Sequence, residues 1–413
     1  MRLLLFLPTS TYSASAFVEA AHQLEVEVVV ASDRRQALEA VVPGRTLGLD
    51  FFAPQRAVKQ IAEFAREWPL QAVVGTDDHT ALLAALAAQA LSLPHNPPEG
   101  VRAAGDKHLM RRILASAAVP SPDYTLVSLE DEPQNISAQV KYPCVLKPTF
   151  LAASRGVIRA DNPGQFTAAF ERIKTLLSRH EIIRRNKEAA RLLLIEDYIP
   201  GSEVALEGLL TGGQLKLLAL FDKPDPLKGP FFEETLYITP SRLPANTQEK
   251  IAQRTQEAAR ALGLREGPLH AELRFNQEEI WIVELAARQI GGLCSRILRF
   301  GAGISLEELI LRHAVGQPLD KLERRAEPAG VMMLPVPRKG VLRQVHGLDA
   351  ARLVPYIEDA VITIPPNQEV EPLPEGDRYL GFIFARAPSP EQVEKALRQA
   401  AKQLDVEFNC ASS

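Results

Sequence analysis

The sequence has few cysteines and no run of lysine and arginine. Its three cysteines, Cys144, Cys294 and Cys410, are widely spaced, which excludes a disulfide framework and a cysteine-ligated metal site and favours a reducing cytoplasm. The formal net charge is only −4 over 413 residues. Without a basic cluster there is no electrostatic surface for nucleic acid or for a membrane. Small-molecule chemistry is therefore favoured.

Long apolar runs are also missing. No stretch approaches the roughly 20 apolar residues that are needed to span a bilayer. The segment Met1–Pro8 resembles a short signal peptide. Because its apolar run is short and a second strand-like segment follows closely, we interpret it as a first β-strand. No G-x-G-x-x-G follows that strand, which argues against a dinucleotide cofactor, and the loop from Thr9 to Ser13 is a weak candidate for binding an anion.

Strands and helices alternate in the first part of the chain. Residues 3–7, 26–30 and 72–74 are strand-like, and residues 14–24 and 57–67 are helix-like, which is typical of an open parallel sheet. Asp77 and Asp78 follow the last of these strands and precede an Ala/Leu-rich helix over 81–90. We expect one of them to cap that helix, with a place in the crevice at the carboxyl end of the strand as the alternative.

Two short strand-like runs, 270–275 and 280–285, flank the turn-like segment 276–279. A hairpin centred on Glu278 places Glu272 opposite Glu284 on one face, and Phe275 opposite Trp281 and Leu273 opposite Val283 on the other. Opposed carboxylates repel each other unless a cation lies between them. Mg²⁺ takes a few carboxylate oxygens together with substrate phosphates, so the pair predicts an ATP site. The alternative is a solvated hairpin face in another register.

The middle of the chain is predicted to form a second unit. It contains a helix over 106–117, strands over 142–150, 156–159, 192–198 and 203–210, and a charged helix over 166–190. The basic tract from Arg172 to Arg191 is interpreted as a solvated helical face. A third stretch, from Gly330 onward, mixes short strands with a helix over 390–403.

Five segments in this order resemble the ATP-grasp superfamily, and within it the L-amino acid ligases that include dipeptide synthetases and carnosine synthase. They are Gly105–Arg111 (GDKHLMR), Pro143–Thr149 (PCVLKPT), Leu151–Gly156 (LAASRG), Leu194–Glu203 (LIEDYIPGSE) and Glu284–Gly292 (ELAARQIGG). The resemblance covers nearly the whole chain. It implies a Rossmann-like N-terminal domain over 1–105, a two-lobed ATP-grasp fold over 106–320 with its lid lobe at about 121–200, and a small α+β C-terminal domain over 321–413. The expected fold class is thus mixed α/β and α+β.

The resemblance also assigns roles to residues. Glu272 and Glu284 would hold Mg²⁺, with Mn²⁺ as a substitute, and Arg288 would hold the transferred phosphoryl group and the acyl phosphate. The residues implied to bind ATP are Lys107, Lys147, Ser154, Arg155, Gly156, Glu196, Tyr198, Ile199 and Glu203. The residues implied to meet the substrates are Glu233 or Glu234, Arg288, Gly291 and Gly292. His270 faces the same side as Glu272 and is a substrate-site candidate that could contribute a general base, with an ordinary strand histidine as the alternative. The sequence departs from the ATP-grasp pattern at two places. Ala286 stands where many ATP-grasp enzymes have an asparagine, and the loop 151–156 has one glycine where many of these enzymes have several.

The function implied is an ATP-dependent carboxylate–amine ligase that forms an acyl phosphate and releases ADP and phosphate. Its partners would be a small-molecule carboxylate and an amine, and a homodimer is one option for its assembly. Two alternatives stay open: a biotin-carboxylase-like or purine-pathway ATP-grasp enzyme, and a nucleotide-binding module without catalysis. The residues do not identify the carboxylate, the amine or the general base.

Overall fold

The computed structural model describes residues 1–9, 11–34, 44–319 and 322–409. Ser10 and Cys410, which the sequence analysis included, lie outside this range. The strands are β1 (Arg2–Phe6), β2 (Glu27–Ser32), β3 (Thr46–Gly48), β4 (Ala72–Val74), β5 (Tyr124–Ser128), β6 (Cys144–Pro148), β7 (Ile158–Ala160), β8 (Leu192–Asp197), β9 (Ser202–Thr211), β10 (Gln214–Asp222), β11 (Leu236–Thr239), β12 (Gly267–Phe275), β13 (Ile280–Ala286), β14 (Ala329–Leu334), β15 (Gly340–His346), β16 (Ile357–Ile362), β17 (Glu369–Val370), β18 (Gly381–Arg386) and β19 (Asp405–Phe408).

The helices connect these strands and cover the sheets. They are α1 (Ala14–Gln23), α2 (Pro54–Glu67), α3 (Asp78–Ala90), α4 (Pro98–Gly105), α5 (Lys107–Ser116), α6 (Pro133–Ser137), α7 (Pro163–Leu177), α8 (His180–Arg185), α9 (Ala245–Ala261), α10 (Leu306–Ala314), α11 (Leu348–Arg352) and α12 (Pro390–Ala401). Within the described ranges, no helix has both the length and the apolar character required to cross a membrane.

The N-terminal part is a parallel sheet in the order β3-β2-β1-β4. The apolar residues of β1 are buried on both faces, as expected for a parallel strand that is covered by helices on both sides. Met1–Pro8 therefore contains the first strand, as predicted. The loop after β1 carries Tyr12 and Ser13, and Asp78 is the first residue of α3, which follows β4.

The lid lobe is an antiparallel sheet in the order β5-β8-β6-β7. The single helix predicted over 166–190 is wrong, because the chain leaves helical geometry at Arg179 and continues as the separate helix α8. Leu176, Leu177 and Ile182 are all buried in the lid core. A straight helix would point Ile182 away from Leu176, so the break allows all three side chains to reach one core.

A large antiparallel sheet in the order β13-β12-β9-β10-β11-β14-β18-β16 forms the centre of the molecule. Strands β14, β16 and β18 come from the segment that follows residue 321, so the predicted C-terminal unit extends the central sheet through β11 and β14. A small sheet, β17-β15-β19, completes that segment. The lid lobe and the central sheet face each other across a cleft.

Candidate active site

The cleft between the lid lobe and the central sheet brings together most of the predicted nucleotide-binding residues. Lys147 on β6, Tyr198 and Ile199 after β8, and Glu203 on β9 line it, together with Lys107, Ser154, Glu196, Glu272 and Glu284. Phe232 and Val283 supply apolar walls. Its volume is about 70 Å³.

The hairpin β12–β13 places Glu272 opposite Glu284, as the sequence predicted. The flanking pairs differ from the prediction, because Leu273 pairs with Ile282 and Phe275 pairs with Ile280. A β-bulge causes the shift: one extra residue, Val283, is accommodated between the two stretches, and this residue lines the cleft beside Glu284. The bulge thus aims two neighbouring side chains of β13 at the same cavity.

Each of these two carboxylates has a lysine partner. Lys107 Nζ lies 3.3 Å from Glu284 Oε2 and also donates to the carbonyl oxygen of Leu151 at 2.8 Å. Lys223 Nζ lies 3.5 Å from Glu272 Oε2. The carboxylates therefore face the cleft with buried lysine ammonium groups beside them, and their oxygen donors are of the kind that Mg²⁺ prefers.

Lys223 is the centre of a buried acidic cluster. Its ammonium donates to Glu203 Oε1 at 2.8 Å and to Glu234, and oxygen atoms of Glu203, Glu234 and Glu272 all lie within 4.8 Å of one another. Burial alone would lower the pKa of Lys223, but the carboxylates hold it well above its usual value. Burial and the charge of Glu272 raise the pKa of Glu234 to about 7. The sequence analysis assigned no role to Lys223.

A second buried ion cluster lies deeper in the cleft. Glu196 accepts from Arg111 Nε at 2.8 Å and lies 2.5 Å from Lys147 Nζ. Burial favours the neutral form of Glu196, but Arg111 and Lys147 lower its pKa below the usual value. Both carboxylate oxygens of Glu196 are thus engaged by cations, so its contact with an adenine ring stays a prediction and its observed role is to hold Lys147.

Beyond Glu272 and Glu284 the cleft adjoins a further cavity of about 240 Å³, which we call the reaction chamber. Ser154, Glu234, Glu272 and Glu284 line both spaces. Four predicted substrate residues also line the chamber, namely His270, Arg288, Gly291 and Gly292. Glu233 lines neither space, so of the two neighbouring glutamates only Glu234 reaches the site.

Arg288 spans the chamber toward the N-terminal sheet. Its Nε and Nη2 atoms donate to the two oxygens of Asp78, each at 3.0 Å, and Nη1 donates to the carbonyl oxygen of Gln289. Asp77 accepts from the backbone N–H of Thr80 and caps α3. Both interpretations of the Asp77–Asp78 pair are therefore realised: the first residue caps the helix, and the second lines the crevice and orients Arg288.

His270 lies on the chamber floor between two carboxylates. Its Nδ1 atom is 3.1 Å from Glu207 Oε2, and its Nε2 atom is 3.7 Å from Glu272 Oε1. Burial would lower the pKa of His270, but the bonds to Glu207 and Glu272 outweigh it and raise the pKa to about 9. The two carboxylates therefore favour the protonated imidazole, which carries a positive charge beside the chamber.

The lid loop 151–156 differs from the prediction at two residues. Arg155 does not face the cleft: it donates from Nε to the carbonyl oxygen of Glu375 at 2.8 Å, and its Nη1 lies 3.4 Å from Asp377 Oδ2. The backbone N–H of Gly156 donates to the carbonyl oxygen of Pro374 at 2.8 Å. Neither group is directed at a phosphate, because both are bound by the C-terminal segment. Ser154 alone of the three lines the cleft.

These contacts belong to a larger lid clasp between the lid lobe and the loop 371–377. Arg172 donates to both carboxylate oxygens of Glu375, at 2.5 and 2.9 Å, and Arg179 donates to Glu371 at 2.7 Å. The basic tract that begins at Arg172 is therefore more than a solvated face. A charged guanidinium–carboxylate fork is directional as well as attractive, so the clasp fixes the lid relative to the central sheet.

Replacing Arg155 by alanine is expected to weaken ATP use. Without its guanidinium the loop that carries Ser154 and the Leu151 carbonyl keeps the Gly156–Pro374 bond but loses its side-chain anchor, and displacement of about 1 Å in a phosphate-binding loop can cost roughly 100-fold in rate. We expect kcat/KM for ATP to fall by about 10- to 100-fold in steady-state assays of ADP formation. Lys174→Ala, at an exposed position of α7, is the control. A folded Arg155→Ala protein with wild-type kcat/KM would show that the clasp is dispensable.

The sequence analysis assigned no role to Arg111 or Lys223, although the sequence around each indicates a buried cation. Arg111 lies one helical turn after Lys107 on α5, so both point to the same face, and its side chain is fully buried. Lys223 directly follows β10, with one residue between it and the apolar run that ends at Phe221. A cation at the end of a buried run needs a compensating anion. Neither signal identifies the partner, because those carboxylates are distant in sequence.

Comparison with known proteins agrees with this architecture. Family models match three consecutive parts of the chain: an ATP-grasp N-terminal domain over 18–95, an ATP-grasp domain over 140–297 and an L-amino acid ligase C-terminal domain 2 over 332–409. The crystal structure of the L-amino acid ligase from Bacillus licheniformis superposes with a TM-score of 0.83 and 25% identity, covering 99% of each chain.

Two curated relatives show the same relationship at the level of sequence. Alanine–anticapsin ligase from Bacillus subtilis is 24% identical over 270 residues, which is 62% of this chain and 56% of that protein. Carnosine synthase 1 from Gallus gallus is 30% identical over 306 residues, which is 68% of this chain and 32% of that protein. The chain thus spans less than two thirds of each of these relatives. It belongs to the ATP-grasp superfamily and carries the C-terminal domain of the L-amino acid ligases.

Proposed function

We propose that the protein is an ADP-forming carboxylate–amine ligase that joins an amino acid or similar carboxylate to an amine. The observation that carries this proposal is the meeting of two cavities at Glu272 and Glu284. The inter-lobe cleft ends there, and the reaction chamber begins there. A nucleotide in the cleft would thus direct its terminal phosphate at a carboxylate in the chamber.

In this proposal, groups that line the cleft bind each part of ATP. Tyr198, Ile199 and Phe232 would pack against the adenine ring, and Glu203 would accept from the ribose hydroxyls. Lys107 and Lys147 would hold the phosphates. Lys147 is kept in place by Glu196, and burial lowers the pKa of Lys147 against the opposing effect of that carboxylate. Precise positioning of this kind supplies much of the acceleration of phosphoryl transfer.

The fit of a magnesium ion is supported by the donor set. Glu272 and Glu284 supply carboxylate oxygens from adjacent strands, and both line the space where the cleft and the chamber meet. When bound there, Mg²⁺ or Mn²⁺ would offset the charge of the transferred phosphate. Ala286 offers no oxygen donor from its side chain, so those two glutamates would be the main protein ligands.

The reaction would then follow the acyl-phosphate route. A carboxylate oxygen of the first substrate attacks the γ-phosphorus, and ADP leaves; the amine attacks the acyl carbon, and inorganic phosphate leaves. Arg288 and protonated His270 place positive charge beside the acyl phosphate. Glu234 reaches the chamber and can pair with the α-ammonium of an amino-acid substrate.

A screen of amino-acid pairs tests the proposal. The purified protein is incubated with ATP, Mg²⁺ and pairs of amino acids, phosphate release is measured, and products are identified by mass spectrometry. Hydroxylamine is added in parallel to trap an acyl phosphate as a hydroxamate. We expect ADP, phosphate and a condensed product for at least one pair. Release of AMP and pyrophosphate would contradict the mechanism, and bicarbonate-dependent ATP hydrolysis would indicate a carboxylase instead.

A further inference from the structure

A third cavity adjoins the reaction chamber on the side of the N-terminal sheet. Its volume is about 880 Å³, which lies within the roughly 300–1,000 Å³ of ligand pockets. Thr11, Tyr12, Ser13 and Gly292 line both this cavity and the chamber, so the two spaces adjoin. We call this third cavity the antechamber.

The order of the three cavities indicates which substrate reaches the antechamber. The cleft and the antechamber share none of their lining residues among those described, whereas the chamber shares residues with each of them. The phosphoryl donor would thus lie at one end and the antechamber at the other. Because the amine must attack an acyl carbon whose phosphate lies on the side of the cleft, the amine substrate is the one that extends into the antechamber.

The antechamber lining is polar and contains three guanidinium groups, those of Arg296, Arg299 and Arg378. Arg296 is neutralised by Asp359 at 3.0 Å and lies over the ring of Phe384. Hydroxyl groups that can donate to an acidic ligand come from Ser13, Ser15 and Ser305, whereas those of Thr9 and Thr363 already donate to Asp33 and to the carbonyl oxygen of Tyr379.

Arg299 and Arg378 keep donors available. Arg299 donates to the carbonyl oxygens of Arg296 and Leu298, at 3.0 and 2.7 Å, and within the described part of the chain it has no carboxylate within 4 Å. Arg378 is exposed: its Nη1 atom donates to Gln368 Oε1 at 3.3 Å, its Nε atom lies 3.9 Å from its chain neighbour Asp377, and no bond from its Nη2 atom is seen among those residues. A guanidinium without a close carboxylate is suited to a planar anion such as the carboxylate of a ligand.

Two carboxylates also line the antechamber, and their positions leave room for an anion. Glu307 is buried and accepts a hydrogen bond from Ser295 at 2.5 Å. Glu19 lies more than one turn after the start of α1. The first turn of α1 contains no acidic residue, and the Ser13 side chain does not cap the helix. The beginning of α1 therefore adds partial positive charge to the same wall as Tyr12 and Ser13.

We propose that the antechamber binds an acidic group of the amine substrate, so that the preferred acceptor is an amino acid or peptide with a second carboxylate. The inference rests on the proposed ligase function and adds the substrate class. Arg299 and Arg378 would receive the second carboxylate, with hydroxyl groups of the antechamber as further donors. Thr9–Ser13, a weak anion-binding candidate in the sequence, contributes Thr9, Thr11, Tyr12 and Ser13 to this lining.

Matched acceptors test the inference. With saturating ATP and the carboxylate substrate that the screen identifies, KM is measured for L-glutamate against L-glutamine and for L-aspartate against L-asparagine. We expect KM to be about tenfold lower for the acids, because the charged carboxylate accepts stronger hydrogen bonds from the guanidinium groups than the neutral amide does. The double variant Arg299→Gln, Arg378→Gln should raise KM for the acids and remove their advantage.

Arg324→Gln is the matched control, because Arg324 also donates only to a carbonyl oxygen among the described residues but does not line the antechamber. It should keep the preference for acids. Equal KM values for acids and amides in the wild type, or an unchanged ratio in the double variant, would overturn the inference while leaving the ligase intact. Absence of ligation with every acceptor would instead contradict the proposed function, and the inference with it.

Discussion

Replacing either Glu272 or Glu284 by glutamine is expected to lower the rate of ADP formation by roughly 100- to 1,000-fold, the usual effect of removing one preorganised electrostatic group from an active site. Glutamine keeps the size of the side chain but removes the charge that would face the metal and the lysine. Lys107 and Lys223 would each lose an ion-pair partner in these variants. The rate is measured with saturating ATP over a range of Mg²⁺ concentrations.

Glu278→Gln provides the control for that experiment. Glu278 lies in the exposed turn of the same hairpin, so its replacement changes the same residue type without touching the cleft. It should retain wild-type turnover and the wild-type dependence on Mg²⁺. If the double variant Glu272→Gln, Glu284→Gln also retained them, the carboxylate pair would have no part in catalysis.

Replacing Lys223 by methionine is expected to cost about 3–5 kcal/mol in the free energy of unfolding, as is usual when one partner of a buried ion cluster is removed. The ammonium of Lys223 is 3% exposed and compensates Glu203, Glu234 and Glu272. Denaturant unfolding at pH 8 measures the loss. Turnover should also fall below detection, since the cluster lies at the end of the cleft.

The destabilisation should depend on pH and on divalent cations. The pKa of Glu234 is already raised, to about 7, and loss of the neighbouring ammonium would raise it further. A carboxyl group whose pKa is raised in the folded state destabilises the protein as pH increases through that pKa. The decrease in the free energy of unfolding caused by Lys223→Met should therefore be smaller at pH 6 than at pH 8. Added Ca²⁺ or Mg²⁺ should restore part of the stability, because the three carboxylates could then share an ion.

Lys216→Met is the matched control for this prediction. Lys216 is exposed on β10, the strand that ends directly before Lys223. Its replacement should leave both the free energy of unfolding and turnover unchanged. A Lys223→Met protein that is as stable as the wild type at pH 8 would contradict the assignment of Lys223 as the compensating charge.

The sequence was most informative where the determinants are local. Alternation of side chains along β12 and β13, with a turn between them, is enough to oppose Glu272 and Glu284. The bulge at Val283 was not predictable, because an extra residue in one strand leaves no mark in the hydrophobic pattern. The helix predicted over 106–117 is present as α5, and Asp106 caps it by accepting from the backbone N–H groups of His108 and Leu109.

Contacts between distant segments account for most of the errors. Arg155 is adjacent to the lid loop in sequence, but its partners lie 220 or more residues later, in the loop that follows β17. Arg111 and Glu196 are likewise far apart, and their pairing depends on how the lid lobe packs on α5. A single sequence shows which side chains need a partner but not where the partner is. The tertiary structure decides that.

Transfer of labelled oxygen tests the central claim, that the terminal phosphate of ATP is passed to a carboxylate in the chamber. With the substrate pair that the screen identifies, the carboxylate substrate is supplied with ¹⁸O in its carboxyl group, and the released phosphate is examined by mass spectrometry. An acyl phosphate predicts that each phosphate formed during ligation carries one oxygen from the labelled carboxyl group. Unlabelled phosphate, or label recovered in AMP, would contradict the account.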